Sequence, residues 1–237
     1  MTYIRTVAFT GACLLAAAAL SAPPPKPQPR KCPADTVEIG GHDIAKILEM
    51  LGARRDLGAT DQQVRSYASH FDRSDPNHDG KHTRAEYVDG GRYMTPQARA
   101  GIFGATDNNA DGVVTRAEYV LNRIITDEAK RIVQGTDADK NGKVTRAEFV
   151  EGSPIEDKAL AGAVFDALDT SGDGTIAVPE YLRVWGGWAR PNYKAQEAAI
   201  AERLAKLNKK SDNGGKADTD DKVGMPAGGA DRRGSRH

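Results

Sequence analysis

Apolar and polar positions fall into distinct stretches along the 237-residue chain. Residues 7 to 20 (VAFTGACLLAAAAL) carry no charge, follow Arg5 and lead through small residues to Pro23-Pro24-Pro25. A basic start, a short apolar run and a small-residue exit predict a secretory signal peptide over residues 1–22, because a spanning helix needs about 20 apolar residues. The Pro-rich stretch that follows predicts an extended tether over residues 23–41. From His42 to Leu51, Ile44, Ile47, Leu48 and Leu51 recur at helical spacing and predict an amphipathic helix that caps the folded region. Residues 191–210 carry a second such pattern (YKAQEAAIAERLAKLNKK within them) and predict a final helix folding back over apolar surface. Residues 211–237 hold almost no large apolar side chain and read as a disordered tail.

Between these flanks the pattern repeats. Thr-Arg-Ala-Glu, then an aromatic residue and Val, occurs at Thr83 to Val88, Thr115 to Val120 and Thr145 to Val150, with a degenerate copy from Ala177 to Leu182. A polar stretch of twelve residues ends at each Glu: Asp75 to Glu86, Asp107 to Glu118, Asp137 to Glu148 and Asp169 to Glu180. Their starts lie 32, 30 and 32 residues apart. Four residues ahead of each stretch stands an apolar residue (Phe71, Phe103, Val133, Phe165), and one residue behind it an aromatic one (Tyr87, Tyr119, Phe149, Tyr181). These are expected to pack together across each helix–loop–helix unit. Thr60 with Gln63 and Ser153 with Glu156 predict capping boxes, and Thr95-Pro96 and Ser153-Pro154 place Pro at a first helical position.

The twelve-residue pattern resembles the EF-hand calcium loop in all four copies. Calcium is a hard cation that takes six to eight oxygens at about 2.3–2.6 Å. Loop positions 1, 3 and 5 supply short side-chain oxygens: Asp75, Asn77 and Asp79; Asp107, Asn109 and Asp111; Asp137, Asp139 and Asn141; Asp169, Ser171 and Asp173. Position 6 is Gly in each copy, where the chain turns sharply. Position 7 contributes a backbone carbonyl, from Lys81, Val113, Lys143 and Thr175. Thr83, Thr115 and Thr145 at position 9 suit a water-mediated contact, whereas Ala177 offers no side-chain oxygen. Position 12 is the bidentate Glu: Glu86, Glu118, Glu148 and Glu180. The resemblance covers roughly residues 60 to 190 and is similar in plan to calmodulin-like four-EF-hand proteins, including exported bacterial ones. It implies an all-α fold of two paired EF-hand lobes within residues 42–190, loops 1 with 2 and 3 with 4. Position 8 should bridge each pair, Val144 with Ile176 and the less apolar His82 with Val114.

Composition narrows the function. The 33 basic and 33 acidic residues cancel, which removes support for a nucleic-acid binder resting on bulk basicity. The neutrality conceals twelve loop carboxylates gathered in four clusters. Two cysteines, Cys13 and Cys32, exclude a disulfide scaffold, and signal cleavage would leave Cys32 alone. His70, His78 and His82 lie around loop 1 and read as solvent-facing rather than as a transition-metal site. Trp185 and Trp188 are expected to pack under the final helix. No Ser/His/Asp set or phosphate loop stands out, so the reading is a binding protein and not an enzyme. Its expected ligand is Ca2+, with no membrane span after cleavage and no identified protein partner. It is expected to be secreted or periplasmic, and to act as a calcium buffer or calcium-stabilised protein. The alternative is a sensor that exposes apolar surface to a partner, although methionine is scarce in the folded region (Met50 and Met94).

Overall fold

The computed structural model describes residues 38–214. The expected leader, most of the tether with Cys32, and the tail beyond residue 214 lie outside the described residues. The first element is a short hairpin that the sequence pattern does not announce, β1 (Glu38–Ile39) against β2 (His42–Asp43). Gly40 and Gly41 make its turn at φ 58° and 79°, the left-handed region where a side chain is strained. Asp43 then caps α1 (Ile44–Met50) by accepting from the Lys46 N–H at 2.7 Å. Ile44, Ile47, Leu48 and Leu51 are buried, as the helical spacing requires.

A 3-10 turn (Arg55–Leu57) leads to α2 (Asp61–Arg73), whose start carries the expected Thr60–Gln63 capping box. β3 (Lys81–Thr83) and a single π turn (Ala85–Asp89) follow, then α3 (Pro96–Thr106), capped by Thr95 with Pro96 in the first turn. β4 (Val113–Thr115) runs directly into α4 (Arg116–Val133), the long central helix. A 3-10 turn (Gln134–Thr136), β5 (Lys143–Thr145) and α5 (Arg146–Gly152) precede α6 (Lys158–Leu168), β6 (Thr175–Ala177), α7 (Val178–Trp188) and α8 (Tyr193–Gly214). The expected helix start at Ser153 is not formed. Ser153 is instead the residue closing α5, held extended (φ −75°, ψ 151°) ahead of Pro154. Asp157 caps α6, accepting from the N–H groups of Ala159 and Leu160 at 2.9 and 3.2 Å.

The strands pair antiparallel as β3–β4 and β5–β6, with His82 opposite Val114 and Val144 opposite Ile176. The fold is thus predominantly helical with short strand pairs. Its two halves are not separately cored. One main core runs through α1, α2 and α4 to α8, and includes Val64, Leu121, Phe149, Phe165, Trp185 and Leu204. Only Val88, Phe103 and Val114 form a second, smaller cluster. The reason is α4, which packs on α2, α7 and α8 and so serves both halves.

Trp185 and Trp188 are buried in the main core, together with Ile200, Leu204 and Leu207 of α8. The final helix extends to Gly214, four residues past its expected end. It is held by Arg203, which donates to Asp61 and the Ala59 carbonyl, and by Gln196, which donates to Asp56 and the Ala189 carbonyl. No helix among the described residues is long and apolar enough to cross a membrane.

Candidate metal centre

Each of the four polar loops is built on one hydrogen-bond frame. The position-1 carboxylate accepts from the N–H of the position-6 glycine: Asp75 from Gly80 (2.9 Å), Asp107 from Gly112 (3.0 Å), Asp137 from Gly142 (2.9 Å) and Asp169 from Gly174 (2.9 Å). The glycines stand at φ 77°, 86°, 85° and 83°, a conformation that a Cβ would strain. The side chain at position 5 accepts from the N–H at position 7, seen at Asp79–Lys81, Asp111–Val113, Asn141–Lys143 and Asp173–Thr175. Position 4 holds a second left-handed residue in every loop (His78, Ala110, Lys140 and Gly172), which the sequence pattern does not reveal. Only Gly172 has the residue type that signals it.

The glutamate at position 12 closes the frame and starts the outgoing helix. One oxygen accepts from the backbone N–H at position 9: Glu86 from Thr83 (2.9 Å), Glu118 from Thr115 (2.8 Å), Glu148 from Thr145 (2.8 Å) and Glu180 from Ala177 (2.9 Å). The threonine hydroxyls donate to the same carboxylates and accept from the glutamate N–H, which completes capping boxes at Thr115 and Thr145. These hydroxyls thus also serve the helix start, a role beyond the water-mediated contact expected of position 9. Ala177 has no hydroxyl, so loop 4 keeps only half the box.

The other glutamate oxygen faces the loop. In loop 3 the carboxylates of Asp137, Asp139 and Glu148 bring oxygens within 4.8 Å of one another, near enough to share one cation. In loop 1 the Asn77 amide donates to Asp79 and Glu86 instead (3.3 and 2.8 Å). Two buried carboxylate oxygens, Asp75 Oδ1 and Glu118 Oε1, have no hydrogen-bond partner. Buried acceptors without a donor are costly, and a hard cation is the group that such oxygens fit.

The hydrogen bonds from Thr83 and Thr145 hold the Glu86 and Glu148 carboxyls below the usual range, and the Ala177 N–H does the same for Glu180. Thr175 lowers Asp173. Glu118 moves the other way, because burial raises it.

The histidines do not gather. His70 and His78 are exposed, but His82 is buried, contrary to its expected solvent-facing position. Its ring stacks on Phe71 at 3.8 Å, and Nε2 lies 3.2 Å from both the Phe71 carbonyl and Ser74 Oγ. Burial lowers its pKa. The aromatic residues flanking the loops are also arranged differently from the expectation. Phe71 meets Tyr119 (5.5 Å), Tyr87 meets Phe103 (6.2 Å) and Phe149 meets Phe165 (6.0 Å), so contacts run between the two units of a pair. Arg116 and Arg146, both at loop position 10, cross the same boundaries. Arg116 binds Asp72 and lies over Phe71, while Arg146 binds Asp166 and lies over Phe165.

A family model described as EF hand matches residues 161–185, which take in most of α6, loop 4 and most of α7. No curated protein matches the chain. Among solved structures, the chain is similar to a Streptomyces coelicolor calcium-binding protein described in connection with prokaryotic calcium-mediated regulation. The identity is 20%, over 53% of this chain and 96% of that one, with a TM-score of 0.26. The EF-hand match and the oxygen donors around it make Ca2+ the bound ion.

Proposed function

We propose that the chain is an exported calcium-binding protein whose four loops are all EF hands, acting as a calcium buffer or a calcium-stabilised protein. The observation that supports this most directly is the common frame. The same glycine, position-5 and glutamate hydrogen bonds recur in four loops and leave carboxylate oxygens turned inward. In this reading the side chains of Asp75, Asn77, Asp79 and Glu86, with the Lys81 carbonyl, take the first ion. Asp107, Asn109, Asp111 and Glu118 with the Val113 carbonyl take the second. Asp137, Asp139, Asn141 and Glu148 with the Lys143 carbonyl take the third, and Asp169, Ser171, Asp173 and Glu180 with the Thr175 carbonyl the fourth. Loop 4 is the weakest, because Ser171 is neutral and Ala177 leaves Glu180 less firmly fixed.

The buffering or stabilising role is favoured over a sensor by α8. This helix lays Ile200, Leu204 and Leu207 into the core and covers apolar surface that a sensor would expose. The test is a calorimetric calcium titration of the chain, repeated with Glu86→Gln, Glu118→Gln, Glu148→Gln and Glu180→Gln. Each substitution should remove or weaken one site; a stoichiometry below four in the unsubstituted chain rejects the filling of all four loops, and one below two rejects the calcium-binding reading as a whole. A hydrophobic dye whose fluorescence climbs on adding calcium would turn the assignment to a sensor.

A further inference from the structure

The clearest cavity lies away from the loops, between α2, α4 and the connection that holds the Arg55–Leu57 turn. It is a cleft half open to solvent, about 380 Å³ in volume, which is within the range of small-molecule sites. Arg54, Arg55 and Arg131 line it, with Ile124 and Tyr67 as its less polar wall. None of the three guanidinium groups has a carboxylate partner within 4 Å among the described residues.

Two acids also line the cavity, and both are already engaged. Asp127 accepts from the Tyr67 hydroxyl at 2.9 Å and from Arg123 at 3.0 Å. Glu128 turns both oxygens to the backbone, accepting from the Arg54 N–H (2.7 Å) and the Arg55 N–H (2.9 Å). That clamp holds Arg55 at φ 53°, a left-handed conformation unusual for a residue with a side chain. Gly58 permits the close approach, since a Cβ there would stand 2.8 Å from the Arg54 Cβ and 3.3 Å from Glu128 Oε1. A connection this constrained fixes the backbone of two adjacent arginines at the cavity, and the Asp127 and Glu128 carboxylates, turned to other donors but still charged, leave the lining with a formal excess of one positive charge.

We propose that this cavity is a binding site for an organic phosphate, whose dianion takes hydrogen bonds from the Arg54, Arg55 and Arg131 guanidiniums while its organic part lies against Ile124 and Tyr67. Planar guanidinium forks match phosphate oxygens in pairs, and three of them suit a dianion better than a single carboxylate. The site shares α2 and α4 with the loops, but none of its residues is a loop residue, so either reading can fail without the other.

The test is calorimetry of the full chain with phenyl phosphate in calcium-free buffer. Saturable binding of one equivalent is expected. It should weaken at least about tenfold in the Arg54→Gln/Arg131→Gln double variant, and stay unchanged in Arg183→Gln, an exposed arginine outside the cavity. Arg55→Gly removes a guanidinium and relieves its backbone, so it should lose affinity without losing thermal stability. Vesicles of phosphatidylcholine with phosphatidic acid separate the sources. Co-sedimentation lost in the double variant assigns the phosphate to a lipid headgroup; its absence assigns a soluble ester. No saturable binding, or equal affinity in the chain and the double variant, overturns the proposal. Calcium stoichiometry is measured on the same variants and should not change, so failure of the phosphate site leaves the calcium reading standing and the reverse.

Discussion

Glu118 and Glu148 occupy the same place in their loops but sit in opposite surroundings. Glu148 is partly exposed and its charge is favoured by Thr145, whereas Glu118 is 1% exposed and burial disfavours its charge. Neutralising them should therefore differ in the calcium-free chain. Glu118→Gln is expected to leave the melt in chelator unchanged or to raise stability by about 1 kcal/mol, since it removes a buried charge that has hydrogen-bond donors on one oxygen only. Glu148→Gln should lower it slightly. Thermal melts in chelator check this, and a Glu118→Gln chain that melts below Glu148→Gln would contradict it. Tyr67 gives a pH dependence. Burial first, and then its hydrogen bond to Asp127, raise its pKa from 10.0 to about 12. A raised pKa contributes stability that is complete below pH 10 and is lost as pH rises through about 12. Tyr67→Phe should cost about 1–2 kcal/mol near neutrality. Its melting temperature should then fall less steeply than the parent's between these two pH values.

Elements show why some features were legible and others were not. The four loops could be read because each position imposes a residue type: Gly where φ is positive, short oxygens at 1, 3 and 5, Glu at 12. Helix α1 and the buried face of α8 could be read because apolar spacing states which side is covered. The second left-handed residue of each loop could not be read, since His78, Ala110 and Lys140 adopt it without a glycine to mark it. Nor could the start of α6, where Ser153 and Asp157 both have capping chemistry and only the geometry chooses Asp157. The pairing of Phe71 with Tyr119 was hidden because local spacing cannot say which loop an aromatic residue faces. The incomplete cap of α7 yields a prediction at this scale. Thr83, Thr115 and Thr145 all donate a hydroxyl to their glutamate, and Ala177 cannot. Ala177→Thr should stabilise the chain by about 1 kcal/mol, the usual worth of an N-cap hydroxyl. Chemical denaturation measures it, and an unchanged midpoint would show that the half-box already suffices.

Across the whole molecule, α4 is the element through which calcium binding would be coupled to folding in the proposed reading. Its first turn carries Glu118 of loop 2, its middle supplies Leu121, Ile124 and Ile125 to the core, and its last residue leads through one 3-10 turn into loop 3. It also packs on α2, which leads into loop 1, and on α7, which leaves loop 4. On the proposed four-site reading, an ion at any loop would therefore fix an end of a helix that is attached to the same core. Two lobes with separate cores would melt separately as their sites emptied. This arrangement should instead unfold in one transition, with and without calcium, because exposing the core around Leu121 and Trp185 removes support from both halves. Each site bound at 100 times its dissociation constant adds roughly 2.7 kcal/mol. Saturation of even two sites should then move the whole transition upward by many degrees rather than split it. Differential scanning calorimetry in calcium and in chelator checks both points. Two resolved peaks in chelator would show that the halves fold independently and that α4 does not join them. A single peak that calcium leaves in place would instead show that the loops are stable without the ion.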